Sequence, residues 1–519
     1  MADARPHLSA PVALPVDRHL DVSDDSGLHR SVAIGAMWTH GALIAGKLIV
    51  LVNTVILARM LLPDDFGLVA ISLVILAYME TAASLGSGAA IVWRHDEPEK
   101  TAAVALSMGL AGSLLVGGLT FAAAPIFADF FKDGRISEMV RVLSICFLLT
   151  SPASIFSSLL QRRMEFRRRA VAEIGKALAK GVVGIGLAAG GLGAWSLVWG
   201  HIAGQAVGLA LLWWLSGWRP RLSLEPDILR QISRYGSLVA LIELLGMATK
   251  NIDFLVIGRW FDPSSLGIYV LGFALIDQVV MSVCWAASQA LFPAYSRMQR
   301  DRDALRRSCR ESLAVIAAIA LPAAAGIAVV AQPLVLLFFG EKWLPAVPVM
   351  QALAFYAMIY ALSFNLSDIY KATGRPHILT LIAVANLVLA IPILIVATRW
   401  GIVGVAFGQV LVALTTTILN WIVVWRVVGI GVDILYQAVR APLVATALMV
   451  VSCLAVDQLG TIGSTPLRLA ILVATGILVY ALALRLFAPR LVEMAIRLAF
   501  AGSRQDAPQG KAGHRRKPT

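Results

Sequence analysis

Charge is scarce in this sequence. Only 14% of its 519 residues are Asp, Glu, Lys or Arg, against 59% hydrophobic, where soluble chains carry about 25% charged and about 45–50% apolar residues. A soluble globular fold is excluded. Cysteine is nearly absent: Cys146, Cys284, Cys309 and Cys453 stand singly, which excludes a disulfide framework or a zinc cluster set by cysteine spacing. There is no H-E-x-x-H, no G-x-S-x-G and no histidine pair at metal spacing, so neither a metal nor any other cofactor is expected. The run GALIAGKL (41–48) comes near a P-loop, but Leu48 stands where a Mg²⁺-binding Ser or Thr is required, inside an apolar segment and not after a strand. Long loops are missing as well. No link between apolar blocks exceeds about 20 residues, which leaves no room for an ATPase or catalytic domain and disfavours an enzyme such as a membrane polysaccharide polymerase.

What fills the chain is a series of apolar blocks, each near the ~20 residues needed to cross a bilayer as a helix. Cutting at charges and at Pro/Gly punctuation predicts fourteen spans: 33–58, 67–91, 102–127, 138–160, 170–189, 194–215, 235–258, 265–291, 312–338, 346–370, 377–397, 401–425, 441–457 and 468–487. Lys and Arg number 44 against 31 Asp and Glu, a formal net charge of +13. With the N-terminus cytoplasmic, 32 of those cations fall on inner segments, counting Arg485 at the inner edge of the last span, and seven outside, namely Arg59, Lys132, Arg135, Arg259, Lys342, Arg399 and, at the outer edge of that span, Arg468. The positive-inside rule then places both termini in the cytoplasm. The clusters QRRMEFRRRA (161–170) and RMQRDRDALRRSCR (297–310) read as orientation signals attracted to anionic lipid headgroups. Nucleic acid is not expected.

An internal repeat organises the blocks. NTVILARMLLPDDFGLVA (53–70) and DFLVIGRWFDPSSLGIYV (253–270) share Arg59/Arg259, Pro63/Pro263 and Gly67/Gly267 at a constant separation of 200. A second echo pairs GAWSLVWGHI (193–202) with GIVGVAFGQV (401–410). The expected fold is an all-α polytopic membrane protein with two six-helix lobes, related as parallel repeats about the membrane normal, and an appended helix pair. Its predicted parts are a disordered cytoplasmic tail (1–28), an N-lobe (29–218), a C-lobe (219–428), an extra helix pair (429–490) and a basic cytoplasmic tail (491–519). Because Pro fixes φ and Gly permits tight turns, the repeated R-x3-P-x3-G links are expected to form matched outer-face gate turns.

A charge at mid-bilayer costs at least ~2.5–3.5 kcal/mol, so ionisable residues inside spans are the candidate functional residues. His40, Lys47 and Thr54 fall nearly on one line of the first span, with Asn53 beside them, and Glu243, Lys250 and Asp253 share a stripe of the seventh. Lys47 and Lys250, on equivalent helices, are expected to face each other across a central cavity suited to a diphosphate. Pairing with Glu243, Asp253 or Glu80 is the structural alternative. Glu80, Glu243, Asp277 and Asp368 are candidates for a coupling ion, while Glu173, Lys176 and Lys180 are expected to snorkel toward the inner interface. Trp285, Gln289, Tyr356, Tyr360 and Asn365 are available to contact a sugar.

The stretches LARMLLPDDFGLVA (57–70) and ASLGSGAAIVWR (83–94) resemble the opening of the polysaccharide-transporter family, the Wzx-type flippases of the multidrug/oligosaccharidyl-lipid/polysaccharide superfamily. LQRRMEFRRRA (160–170) and ATGRPH (372–377) are similar to its lipopolysaccharide and exopolysaccharide exporter branch, and the resemblance covers about residues 30–490. It implies a MATE-like architecture, the bacterial inner membrane, and movement of undecaprenyl-diphosphate-linked oligosaccharide to the periplasmic leaflet by alternating access. It also implies a cationic cavity, carried here by Lys47 and Lys250, and a polysaccharide polymerase and chain-length regulator as companions. The competing readings are a multidrug/cation antiporter using Glu80, Glu243 or Asp277, and a lipid II flippase. A major-facilitator carrier is disfavoured because VWRHDEPEK (92–100) lacks that superfamily's basic link pattern.

Overall fold

The computed structural model describes residues 45–84, 97–458 and 464–489, together with residues 88, 91, 491 and 493. The predicted N-terminal tail, His40 and, apart from residues 491 and 493, the predicted C-terminal tail lie outside these. Among the described residues there is no strand. The helices are α1 (45–60), α2 (Pro63–Ser84), α3 (Pro98–Phe131), α4 (Arg135–Leu143), α5 (Cys146–Arg162), α6 (Phe166–Ala189), α7 (Ala194–Ser216), α8 (Pro226–Trp260) and α9 (Pro263–Ile276). After a π-helical turn, Asp277–Met281, come α10 (Ser282–Met298), α11 (Arg302–Phe338), α12 (Ala346–Ala361), α13 (Leu366–Ala372), α14 (His377–Ala397), α15 (Gly401–Val428), α16 (Val432–Gln458) and α17 (Thr465–Phe487). Proline opens α2, α3, α8 and α9, the position where its missing N–H removes no helical bond. All four cysteines are buried and free.

Ten helical stretches among the described residues are long and apolar enough to cross a membrane, and one of them, His377–Val428, holds two long helices of 21 and 28 residues. The expected count was fourteen. The helices outside the ten are α1, of which residues 45–60 are described, and α6 and α8, which carry the charged residues Arg167, Arg168, Arg169, Glu173, Lys176 and Lys180, and Arg230, Arg234, Glu243, Lys250 and Asp253.

The two copies of the repeat meet each other. A Cβ placed on Gly67 would collide with the Pro263 carbonyl oxygen, and one on Gly267 with that of Pro63, so α2 and α9 cross with backbone against backbone. This corrects the expectation of glycine turns: Gly67 and Gly267 lie inside helices, and their role is close approach. A similar logic joins α6 to α7, where a Cβ on Gly200 would lie 2.8 Å from the Lys180 carbonyl oxygen and one on Gly204 3.0 Å from that of Lys176. The stems of both lysines therefore pack on the glycine face of α7, and neither is a residue reaching freely toward an interface. The main apolar core, with Leu68, Ile71, Leu266 and Tyr269, lies around the α2–α9 crossing. Helices α16 and α17 pack on α11, where Tyr480 Oη donates to the Ala318 carbonyl at 2.6 Å. Arg468 and Asp457 tie the pair to each other through bonds of 2.6 and 2.8 Å.

Two helical passages of the second half are interrupted. One is the π-helical turn between α9 and α10, and the other is the break at 362–365 between α12 and α13. Freed backbone at membrane depth needs partners. At the second break they come from α15: Trp421 Nε1 donates to the Leu362 carbonyl at 3.2 Å and Thr417 Oγ1 to that of Ile359 at 3.4 Å.

Candidate functional site

At the end of the molecule carrying Pro63 and Pro263, α1 and α11 finish side by side. Both ends present orphan carbonyls with negative dipole character; Arg59 of α1 caps the end of α11, and Lys342, in the 3₁₀ turn Glu341–Trp343 that follows α11, caps the end of α1. The Arg59 guanidinium donates to Phe338 O at 2.9 Å, to Leu336 O at 3.4 Å and to Leu337 O. In return Lys342 Nζ donates to Arg59 O at 3.0 Å and Leu61 O at 2.6 Å, and Trp343 Nε1 to Ala58 O at 2.9 Å. Burial and the neighbouring Arg59 charge hold the Lys342 amine below the usual lysine range. Gly340, at φ +95°, places its Cα where a side chain would press within 3.3 Å of Arg59 Nη1. Phe66 meets the Trp343 ring edge-on at 5.2 Å. The sequence marks Lys342 only as an outer-side cation and does not mark Trp343; the signal for a closer role is a cation and an indole in a short link after a proline-containing apolar block.

The matching Arg259 does something different. Its Cζ lies 5.4 Å from the Phe130 ring centroid and 5.9 Å from that of Trp260, a cation–π setting without carbonyl capping. Phe130 closes α3 as Leu337 and Phe338 close α11, so each arginine reaches the end of the other half's third long helix. Nearby, Arg135 bridges Asp64 and Asp133 at 2.7 Å each, within the first half, and this holds the Asp133 carboxyl below the ordinary carboxylate range.

The second contact between halves involves Lys47. Its Nζ donates to Ser282 Oγ, directly after the π-helical turn, and its carbonyl accepts from Gln278 Nε2 at 2.8 Å. Ser282 Oγ itself donates to Gln278 O at 2.6 Å. Among the described residues no carboxylate pairs with Lys47 or Lys250, so the ion-pair alternative gives way to a lysine held by a neutral hydroxyl. Lys250 and Glu243 are exposed and form no hydrogen bond or ion pair among the described residues.

The other expected site residues separate into structural and open ones. Asn53 turns into the first half, donating to Ala177 O at 3.1 Å and packing over Gly181, so it joins α1 to α6. Thr54 bonds back to Val50 O at 2.8 Å. Asp253 is 1% exposed and accepts from Tyr269 Oη at 2.8 Å and from the Phe254 N–H at 2.9 Å; burial removes it from the stripe it was expected to share with Lys250. Glu80 accepts from Thr150 Oγ1 at 3.1 Å, and Asp277 is half-buried in the π-helical turn. Asp368 is fully buried, held by Ser288 and Lys371. Trp285 and Gln289 are exposed on α10, and Tyr356 and Tyr360 stack on one another at 5.8 Å. Among the described residues no group of His, Cys, Asp and Glu is arranged to hold a metal.

The chain is similar to the lipopolysaccharide biosynthesis protein WzxC of Escherichia coli (strain K12), 26% identical over 405 residues, covering 76% of this chain and 81% of that one. It is 28% identical over 331 residues to the succinoglycan biosynthesis transport protein ExoT of Rhizobium meliloti (strain 1021), covering 63% and 66%. Among solved structures it shares the fold of the lipid II flippase MurJ in its inward closed conformation, with a TM-score of 0.72 at 13% identity over 88% of this chain and all of that one. The model of a family described as "polysaccharide biosynthesis protein" matches residues 56–348, more than half the sequence. With fold, repeat and sequence in agreement, the chain belongs to that polysaccharide biosynthesis protein family.

Proposed function

We propose that this protein is a flippase that moves undecaprenyl-diphosphate-linked oligosaccharide from the cytoplasmic to the periplasmic leaflet of the bacterial inner membrane, in exopolysaccharide, capsule or O-antigen synthesis. Both termini are cytoplasmic in this reading, and the reciprocal capping of α1 and α11 is the closed periplasmic gate between an N-lobe (29–218) and a C-lobe (219–428). The observation that carries the reading is Lys47. A lysine at the contact between halves, bound only to a hydroxyl, keeps its whole charge available, and a diphosphate offers it far stronger charge-assisted bonds than Ser282 does. The named roles of WzxC and ExoT in lipopolysaccharide and succinoglycan biosynthesis support the same substrate class.

The energetics need no ATPase. A diphosphate carries about two negative charges outward, down an inside-negative potential, and at ~2.3 kcal/mol per charge per 100 mV this favours export by roughly 4–5 kcal/mol. The protein's task is to lower the barrier. In the producing cell, Lys47→Ala is expected to abolish surface polysaccharide and accumulate the lipid-linked precursor inside, while Lys47→Arg retains part of the output. Normal polysaccharide from a well-expressed Lys47→Ala, Lys250→Ala double variant would refute the assignment. Intact polysaccharide with altered dye or antibiotic resistance would favour a cation antiporter, and lost peptidoglycan precursor export a lipid II flippase.

A further inference from the structure

The break between α12 and α13 ends at Asn365, whose side chain is completely buried. Proton accounting fixes its amide. Ser312 Oγ donates to Cys309 O at 3.0 Å, and Tyr295 Oη and Ser312 Oγ are 2.5 Å apart, so the tyrosine donates to the serine. Both hydroxyl protons are then spent, and both oxygens can only accept. They receive Asn365 Nδ2, at 3.5 and 3.4 Å. This turns Oδ1 the other way, and Asn365 Oδ1 is the sole side-chain polar atom among the described residues that is buried with no partner. An orphaned buried carbonyl of this kind points to a missing donor or cation.

One helical turn further on is Asp368, also fully buried. Its Oδ2 accepts from Ser288 Oγ at 2.5 Å and its Oδ1 from Lys371 Nζ at 3.1 Å. Among the described residues Lys371 is its one ion-pair partner, and the lysine side chain is 44% exposed against 1% for the aspartate. Asn365 and Asp368 thus stand one helical turn apart, with the Ser288 hydroxyl of α10 on the carboxylate and the Tyr295 and Ser312 hydroxyls of α10 and α11 on the amide, a set of hard oxygen groups around a single carboxylate. Broken membrane helices are the usual place for ion sites in transporters. One carboxylate balances one positive charge and no more.

From these features we infer that Asn365 and Asp368, with Ser288, form a binding site for a monovalent hard cation such as Na⁺, and that the Lys371 ammonium is its intrinsic competitor. Without the ion, Lys371 neutralises Asp368. With it, the ion takes Asn365 Oδ1 and the Asp368 carboxylate, and the exposed Lys371 swings out. Among the acids marked from sequence as coupling-ion candidates, this selects Asp368. The site stands on its own geometry and does not require the substrate to be a lipid-linked glycan.

The competitor makes the idea testable. The purified full-length protein in detergent is melted across a Na⁺ series balanced with choline at constant ionic strength, and ²²Na⁺ binding is measured at equilibrium. Wild type should show saturable binding and a Na⁺-dependent rise in Tm. Asp368→Asn and Asn365→Ala should lose both. Lys371→Gln, at a half-exposed position that tolerates change, should bind Na⁺ about tenfold more tightly, the least expected when a charge-assisted bond is removed from a buried carboxylate. Absence of ²²Na⁺ binding in wild type, the result if a water fills the position, would overturn the inference. So would a Lys371→Gln protein whose Na⁺ affinity is unchanged or weaker.

Discussion

Arg59 and Arg259 occupy the same place in the two copies of the repeat, and the structure treats them differently. Arg59 caps three carbonyls at the end of α11 and is answered by Lys342 and Trp343, whereas Arg259 lies over Phe130 and Trp260 with no carbonyl to cap. Bonds to a charged group contribute roughly 1.5–3 kcal/mol each, and an exposed cation–π contact about 0.5–1 kcal/mol. The Arg59 corner is thus a latch between halves and the Arg259 corner a cushion. Sequence symmetry shows that two elements descend from one plan; it does not say that they bear equal load.

The largest expected effect falls on the one place where symmetry is kept. Gly67→Val and Gly267→Val each drive a side chain into a backbone carbonyl that cannot step aside, and each should destabilise by about 3 kcal/mol or more, at the upper end of overpacking effects. Melting of the detergent-purified protein checks this; tolerance at either glycine would mean that the α2–α9 crossing is not shared. Next is the latch itself. Arg59→Ala should lower stability by ~2–3 kcal/mol and shift the protein toward the outward-open form, read as faster labelling of a cysteine introduced at Ser265. Arg259→Ala should cost under about 1 kcal/mol and leave labelling unchanged. Equal effects at the two arginines would remove the distinction.

The smallest effect concerns the Arg135 bridge, which the second half lacks because Ser264 stands where the first has Asp64. The folded Asp133 carboxyl lies below its ordinary range. Its contribution is therefore full above the unfolded value of about 3.9 and is lost as pH falls through the lower folded one. For so exposed a pair this is on the order of 0.5 kcal/mol, and the acid loss should shrink in Arg135→Ala. Melting at pH 6 and pH 3 compares the two.

Much of this was legible in the sequence, for identifiable reasons. The apolar blocks and the R-x3-P-x3-G repeat are one-dimensional signals, so the helical membrane fold, the paired halves and the special status of residues 59–67 and 259–267 could be read directly. The role of the glycines could not. Whether Gly67 makes a turn or a crossing depends on what approaches it, and here that is Pro263, 196 positions away. The cost of charge in a bilayer marks Lys47 and Asp368 as residues needing partners, but it does not name the partner, and it passes over the uncharged Asn365, which the sequence offers only as a sugar contact. Ser282 stands after DQVVM, a sequence with no mark of a π-helical turn, and Asn53 and Asp253 share their stripes with cavity candidates while packing inward. A stripe on a helix gives a direction only after its neighbours are placed.

The claim on which the account rests is that the protein carries an anionic lipid-linked glycan across the bilayer without ATP. The most direct measurement places the purified protein in liposomes containing a fluorescent undecaprenyl-diphosphate oligosaccharide and follows its exposure to a membrane-impermeant quencher while a potential is imposed. The account predicts protein-dependent flipping that accelerates when the loading side is made negative and falls to background in Lys47→Ala. Folded wild-type protein that flips at the background rate under either sign of potential would contradict it.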